Sequence, residues 1–242
     1  MRVYILLAIL LWTGLKTAPQ EGTRQFSIPL SDLSAPGSPL MASGEASFRV
    51  VKSLDRIDAH CTLYGELRNA SSKTIIAFEA SLDLIPGRAG CVHYDYQIDY
   101  AFDRDLLGPS SQYSLSQDIS TWEEVRPRGE YAPDPPKAEL TVKFVEFADG
   151  SKFGDSHWGD DLPNQRKKEI ERMSQLLRAY ETGDHFALSK AVADGLAQQD
   201  KPRYMDVLLR EIQDCINADG PDAAAEEIRF WLANARGRIP TN

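Results

Sequence analysis

Phe153-Gly154-Asp155-Ser156-His157-Trp158-Gly159-Asp160-Asp161-Leu162-Pro163 is the stretch across which the chain changes its period. Upstream, from Ala46 to Phe153, apolar residues tend to alternate, as they do on β-strands with two unlike faces. Downstream, from Pro163 to Arg236, they recur every three or four residues, as on amphipathic helices. The change, placed at Asp161, predicts a segregated α+β chain. An antiparallel β-sandwich comes first and a small all-helical module follows.

Working upstream, the clearest strand is Val92 to Phe102. Val92, Tyr94, Tyr96, Ile98, Tyr100 and Phe102 share one face, and His93, Asp95, Gln97 and Asp99 share the other. Ile76, Phe78, Ala80, Leu82 and Leu84 make a second such face. Further strands are predicted at Phe48 to Leu54, Ile57 to Arg68, Tyr113 to Ile119 and Ala138 to Ala148. Residues 123–136 read as a charged, proline-rich loop. Asp149-Gly150 between apolar residues predicts a two-residue type I′ hairpin, because both of its central positions need positive φ. With the returning strand that starts at Ser151 to Phe153, seven short strands in about 110 residues fit an immunoglobulin- or fibronectin-III-like sandwich.

The segment Gly65-Glu66-Leu67-Arg68-Asn69-Ala70-Ser71-Ser72-Lys73-Thr74-Ile75-Ile76-Ala77 resembles the G-x-(V/L)-x-N-x-S-x-K-x-I stretch of small sandwich modules in exported bacterial proteins, FxLYD-like domains among them. The Phe147 to Ser151 hairpin is similar to one in other exported bacterial proteins. The resemblance implies extracytoplasmic binding or scaffolding, and it carries no catalytic residues.

Working downstream, four helices are predicted. The first begins near Pro163 and ends at Gly183. Asp184 caps the second. Pro202 opens the third, which Asp219-Gly220 ends, and Pro221 opens the fourth, which Gly237 ends. Short connections make neighbours antiparallel. Met173-Ser174-Gln175-Leu176-Leu177-Arg178 is echoed by Met205-Asp206-Val207-Leu208-Leu209-Arg210, so a helical-repeat array is an alternative to a four-helix bundle.

Residues 1–18 read as a signal peptide or N-terminal anchor, with Arg2 as the basic flank and Val3 to Leu15 as the apolar run. Residues 19–44 read as a flexible linker, rich in Pro, Gly and Ser, with Ile28 to Leu33 as the stretch able to pair or dock. The sandwich is assigned 45–160 and the helical domain 161–238. The expected location is extracytoplasmic, periplasmic or secreted, with membrane contact only through an uncleaved N-terminus.

The net charge of −9 falls on residues 44–162, while the segments on either side nearly balance. Such a surface repels phosphate backbones and argues against nucleic acid as partner. Cys61 and Cys91 are the one plausible bridge, yet strand phase places Cys61 inward and Cys91 outward. Cys215 sits on an apolar helical stripe and reads as a buried small hydrophobe.

Chemistry-bearing patterns are sparse. His60, His93, His157 and His185 lack zinc spacing. Asp155, Asp160 and Asp161 cluster beside His157 without an EF-hand pattern and read as an acidic linker. Asp95, Asp99, Asp103 and Asp105 lie on an open polar face that would not shift a carboxylate pKa. There is no nucleophile elbow, phosphate loop or dinucleotide fingerprint, so no cofactor, metal or catalytic residue is assigned. Arg166-Lys167-Lys168 reads as a solvated run. Asn69-Ala70-Ser71 is a glycosylation sequon that its turn position would expose. Tyr94, Tyr96 and Tyr100 read as core, leaving Trp122, Tyr131 and Trp158, in or near loops, as the binding-rim candidates. The expected function is an exported, non-enzymatic binding or scaffolding protein with a protein partner. The alternatives are a carbohydrate or small-ligand binder using the loop aromatics, and a hydrolase whose carboxylates converge only in three dimensions.

Overall fold

The computed structural model describes residues 22–52, 56–85, 91–124, 136–183 and 185–239. Among the described residues, nine strands come first: β1 (Gly22–Pro29), β2 (Ser31–Asp32), β3 (Leu40–Lys52), β4 (Arg56–Asn69), β5 (Ile75–Ile85), β6 (Val92–Asp99), β7 (Gln112–Glu124), β8 (Lys137–Phe147) and β9 (Lys152–Gly154). Four helices follow: α1 (His157–Thr182), α2 (His185–Leu196), α3 (Arg203–Asp219) and α4 (Pro221–Arg238).

Sheet A runs β1-β3-β4-β7, and sheet B runs β2-β8-β5-β6 with β9 also on β8. Every pair is antiparallel except the two-residue β2–β8 contact. The sheets close on one apolar core. Phe48, Cys61, Leu63, Leu67 and Leu115 come from sheet A, and Phe78, Leu82, Leu84, Leu140 and Val145 from sheet B. Phe48, Leu63, Phe78 and Leu82 are wholly buried, and burying each such side chain stabilises by about 1.5–3 kcal/mol. Tyr94, Tyr96 and Tyr100 pack against this core. Cys61 faces inward and Cys91 outward, and all three cysteines are free thiols. Burial pushes the Cys61 thiol up to about 11.

Several sequence expectations change. Residues 22–44 are not a flexible linker. β1 pairs with β3 along its whole length, β2 pairs with β8, and Leu30 enters the core. Averaged composition hid the alternation of Phe26, Ile28 and Leu30. Pro29 ends a strand rather than interrupting one. Residues 1–18, read as a signal peptide or anchor, lie outside the described residues.

The hairpin after β8 is also different. Gly150 N–H donates to Phe147 O at 2.9 Å and Phe147 N–H to Ser151 O at 2.9 Å. Gly150 has φ of 80°, whereas Asp149 does not enter the positive region. This is a three-residue loop with glycine at the left-handed position, not a type I′ turn. Asp149 Oδ1 instead accepts from the Ser151 N–H and hydroxyl.

Helix α1 starts at His157, six residues before Pro163. Ser156 Oγ caps it by accepting the Gly159 N–H at 2.9 Å. Pro163 therefore lies inside the helix. The last helix continues through Gly237 to Arg238. The helices form a closed bundle, with α1 packed on both α2 and α4. The echoed Met-x-x-Leu-Leu segments are not equivalent: Met173 and Leu176 are buried in the first, while only Leu209 is buried in the second.

Asn69 is wholly buried rather than exposed. Its amide donates to the carbonyls of Lys73, Leu107 and Gly108 at 2.8, 2.9 and 3.1 Å. Its Oδ1 accepts from Ser71 N–H and hydroxyl at 3.0 and 2.7 Å. The sequon is thus a structural plug that ties three chain segments together, with no nitrogen left for a sugar.

Candidate functional site

The site arises where α1 lies on sheet B, while α4 meets the chain just after β6. Alternation makes the outer face of β5 Ala77, Glu79 and Ser81, a sequence that reads as solvated, yet all three are buried. A bulge in β8 contributes. Ala80 pairs with Val142 and Glu79 with Phe144, so Lys143 is the extra residue and Phe144 turns to the outer face. There Phe144 packs with Ala77, Leu162 and Trp158. Helix α1 approaches so closely that a Cβ on Gly159 would lie 2.6 Å from the Phe144 ring.

Beside this contact sits a buried ion triad. Arg166 Nε and Nη2 donate to the two Asp99 oxygens at 2.8 and 2.7 Å, and Nη1 donates to Glu146 Oε2 at 2.7 Å. Arg166 is 2% exposed and Glu146 5%. Burial opposes the guanidinium charge, but the hydrogen bonds and charges of Asp99 and Glu146 outweigh it and hold the group above its ordinary range. Arg166 is therefore not part of a solvated basic run.

A second contact comes from the chain after β6. The strand stops at Asp99, and Phe102 turns away to pack on the helical core rather than the sandwich core. Asn234 donates to Asp103 O at 2.9 Å, Arg238 to Tyr100 O at 2.9 Å, and Arg104 pairs with Glu227 at 2.9 Å.

Between these contacts and the open end of sheet B lies a cleft of about 510 Å³, lined by Glu79, Gln97, Lys143, Asp155, Ser156, His157, Trp158, Asp161 and Gln165. Glu79 forms part of its wall. Its Oε1 accepts from Gln97 Nε2 at 3.2 Å, while its Oε2 is buried with no protein donor. Lys143 is committed to Asp95 at 3.0 Å. Burial acts to raise the Asp95 carboxyl, but the hydrogen bonds from Ser81 and Lys143 outweigh it and hold the group below its usual range. His93 bridges Asp83 and Asp95 at 2.7 and 3.2 Å, and the Asp83 hydrogen bond raises its pKa. A larger cleft of about 650 Å³ lies between α1 and the α2–α3 connection. Its cations are already used: Arg172 donates to Ala191 O, and Lys201 to Leu196 O, Gln198 O and Asp206.

Of the three rim aromatics, Trp158 alone is placed in this site. It is half-buried, its ring edge-on to Phe144 at 6.1 Å between centroids, so it forms a wall rather than an open platform. Trp122 lies on β7 opposite Asp58 in β4, not in a loop. Tyr131 falls outside the described residues. The carboxylates Asp95 and Asp99 do not converge as an acid–base pair, because each is held by a different cation. Among the described residues, no group of three or more His, Cys, Asp or Glu side chains is arranged to hold a metal ion. The sequence reading missed Glu79, Gln97 and Gln165. The available signal was Glu79 itself, a lone charge in the otherwise apolar run from Ile75 to Ala80.

Among the described residues, no helix is long and apolar enough to cross a membrane. Compared with known proteins, the chain matches no family model, no curated protein and no solved structure.

Proposed function

We propose that this chain is an exported, non-enzymatic binding or scaffolding protein that contacts a protein partner through its sandwich. The observation that carries the reading is the unequal use of the two sheet faces. Sheet B gives the part of its outer face around Ala77, Phe144 and Glu146 to α1. Sheet A keeps an open face, on which the exposed Tyr64 stands between Glu45 and Ser116 in the register, with Ser43, Ser47 and Ser114 on the same face and the exposed Met41 beside Arg68. An exposed tyrosine and methionine among serines and charged residues is a composition suited to protein recognition.

The strand order supports an Ig/fibronectin-III-like sandwich of the FxLYD-like kind. β3, β4 and β7 take the places of strands A, B and E, and β5, β8 and β9 those of C, F and G. β1 and β2 are additions at the edges. The basic flank and apolar run at the N-terminus support export to the periplasm or beyond.

A photo-crosslinking side chain at position 64, used in the native host, tests the partner. One protein recovered repeatedly, and lost when Met41 is replaced by Glu, is the expected result. Recovery of the chain uncrosslinked, with the variant folded, contradicts it. A second reading, a small-ligand binder, is favoured by the Trp158 cleft with its buried Glu79 oxygen.

A further inference from the structure

We infer that the Trp158 cleft binds an organic cation, an alkylammonium or guanidinium group, with Glu79 as the recognising carboxylate. The inference rests on the small-ligand reading of the same cleft and adds the ligand's chemistry. Glu79 is 5% exposed, and one of its two carboxylate oxygens has no protein donor. A buried carboxylate oxygen left without a donor carries a penalty that a charged N–H removes. Gln97 spends one N–H on Glu79 at 3.2 Å, and Gln165 spends one N–H on Asp161 Oδ2 at 3.3 Å. Each amide keeps its oxygen and a second N–H, so the demand for a donor is set by Glu79 Oε2.

Charge points the same way. Glu79, Asp155 and Asp161 line the cleft together with Lys143 and His157, and the lysine is already bonded to Asp95. An anion would meet three carboxylates, and the one lysine there is spent. A neutral sugar could supply donors, but it would leave the excess negative charge uncompensated. Trp158 supplies the remaining element, since an indole wall attracts a cation through its ring face. The cleft's volume of about 510 Å³ suits a side-chain-sized ligand. The same chemistry is offered by a free amine and by a lysine or arginine side chain presented by a polypeptide.

The test is a titration of the full chain followed by the Trp158 indole N–H signal in NMR spectra, assigned by its loss in Trp158→Phe. The probes are Nα-acetyl-lysine amide, Nα-acetyl-arginine amide, a free alkyl diamine, and the neutral Nα-acetyl-glutamine amide. Saturable shifts with the cationic probes and none with the glutamine probe are expected. Glu79→Gln, of the same shape, is expected to weaken cation binding about tenfold or more. A blocked lysine or arginine binding better than the free diamine assigns the source to a polypeptide, and the reverse assigns it to a free amine. Equal binding of the neutral probe overturns the cation assignment while leaving a ligand cleft in place. Shifts with no probe at all overturn both. Cation binding untouched by Glu79→Gln in a variant whose remaining spectrum is unchanged overturns the role of Glu79.

Discussion

The outer faces of the two sheets read alike in the sequence and end differently in the molecule. Sheet A presents Glu45, Arg49, His60, Arg68 and Asp118 to solvent. Sheet B buries Ala77, Glu79 and Glu146 against α1, while His93, Asp95 and Lys143 stay partly exposed at the other end of the same face. Alternation reports that a strand has two faces. It does not report whether the polar face meets water or another layer. The difference is made by a few residues: a bulge that turns Phe144 outward, a glycine that lets α1 touch it, and one arginine that bridges two carboxylates.

Removing that arginine is the strongest way to break the distinction. Arg166→Ala leaves Asp99 and Glu146 buried without their partner. The expected loss is about 3–5 kcal/mol in urea unfolding, the range for a broken buried ion pair. A loss below about 1 kcal/mol, the level of surface pairs, would mean the triad is effectively solvated and the two faces are equivalent.

Gly159→Ala probes the other half of the contact. Alanine ordinarily gains about 1 kcal/mol over glycine inside a helix. Here its Cβ meets the Phe144 ring at 2.6 Å, so a net loss of about 1–3 kcal/mol is expected from overpacking. A gain in melting temperature would show that α1 does not sit on Phe144.

Glu169 sharpens the comparison through pH. Burial, with the charge of Asp99 added, pushes its carboxyl up to about 8. The folded state therefore holds this proton more tightly than the unfolded state. The contribution is fully present below the ordinary carboxylate range, declines as pH rises through it, and is lost above about 8. Glu169→Gln is expected to flatten this part of the stability–pH profile and to gain stability at the alkaline end. Identical profiles for the two proteins count against a desolvated seam.

The smallest effect belongs to sheet A. Tyr64→Ser is expected to change stability by no more than about 0.5 kcal/mol, as for an exposed site without special contacts. A larger loss would show that this face is covered after all.

The sequence made the layers legible and left their contact hidden. The β6 pattern, with Tyr94, Tyr96 and Ile98 inward, and the apolar stripes of α1 and α3 are local signals, each readable within a dozen residues. Arg166 is different. It sits in an Arg-Lys-Lys run that looks solvated, and its partner Asp99 is 67 residues away along the chain. Phe144 takes the outer face only because a bulge precedes it in β8. Asn69 looked exposed because its turn is, although its side chain points into the turn and not out of it. Ser156 was overlooked as a cap because Pro163 offered a familiar helix start. The candidate cleft was legible only in Trp158, since the significance of Glu79 depends on the helix that covers its strand.

The central claim is that bundle and sandwich form one rigid body joined at the outer face of sheet B. Residual dipolar couplings measured on the intact chain test it without any substitution. The account predicts that one alignment tensor fits the amides of the sheets and of the four helices together. Two tensors of different magnitude, each fitting only its own set, would contradict it.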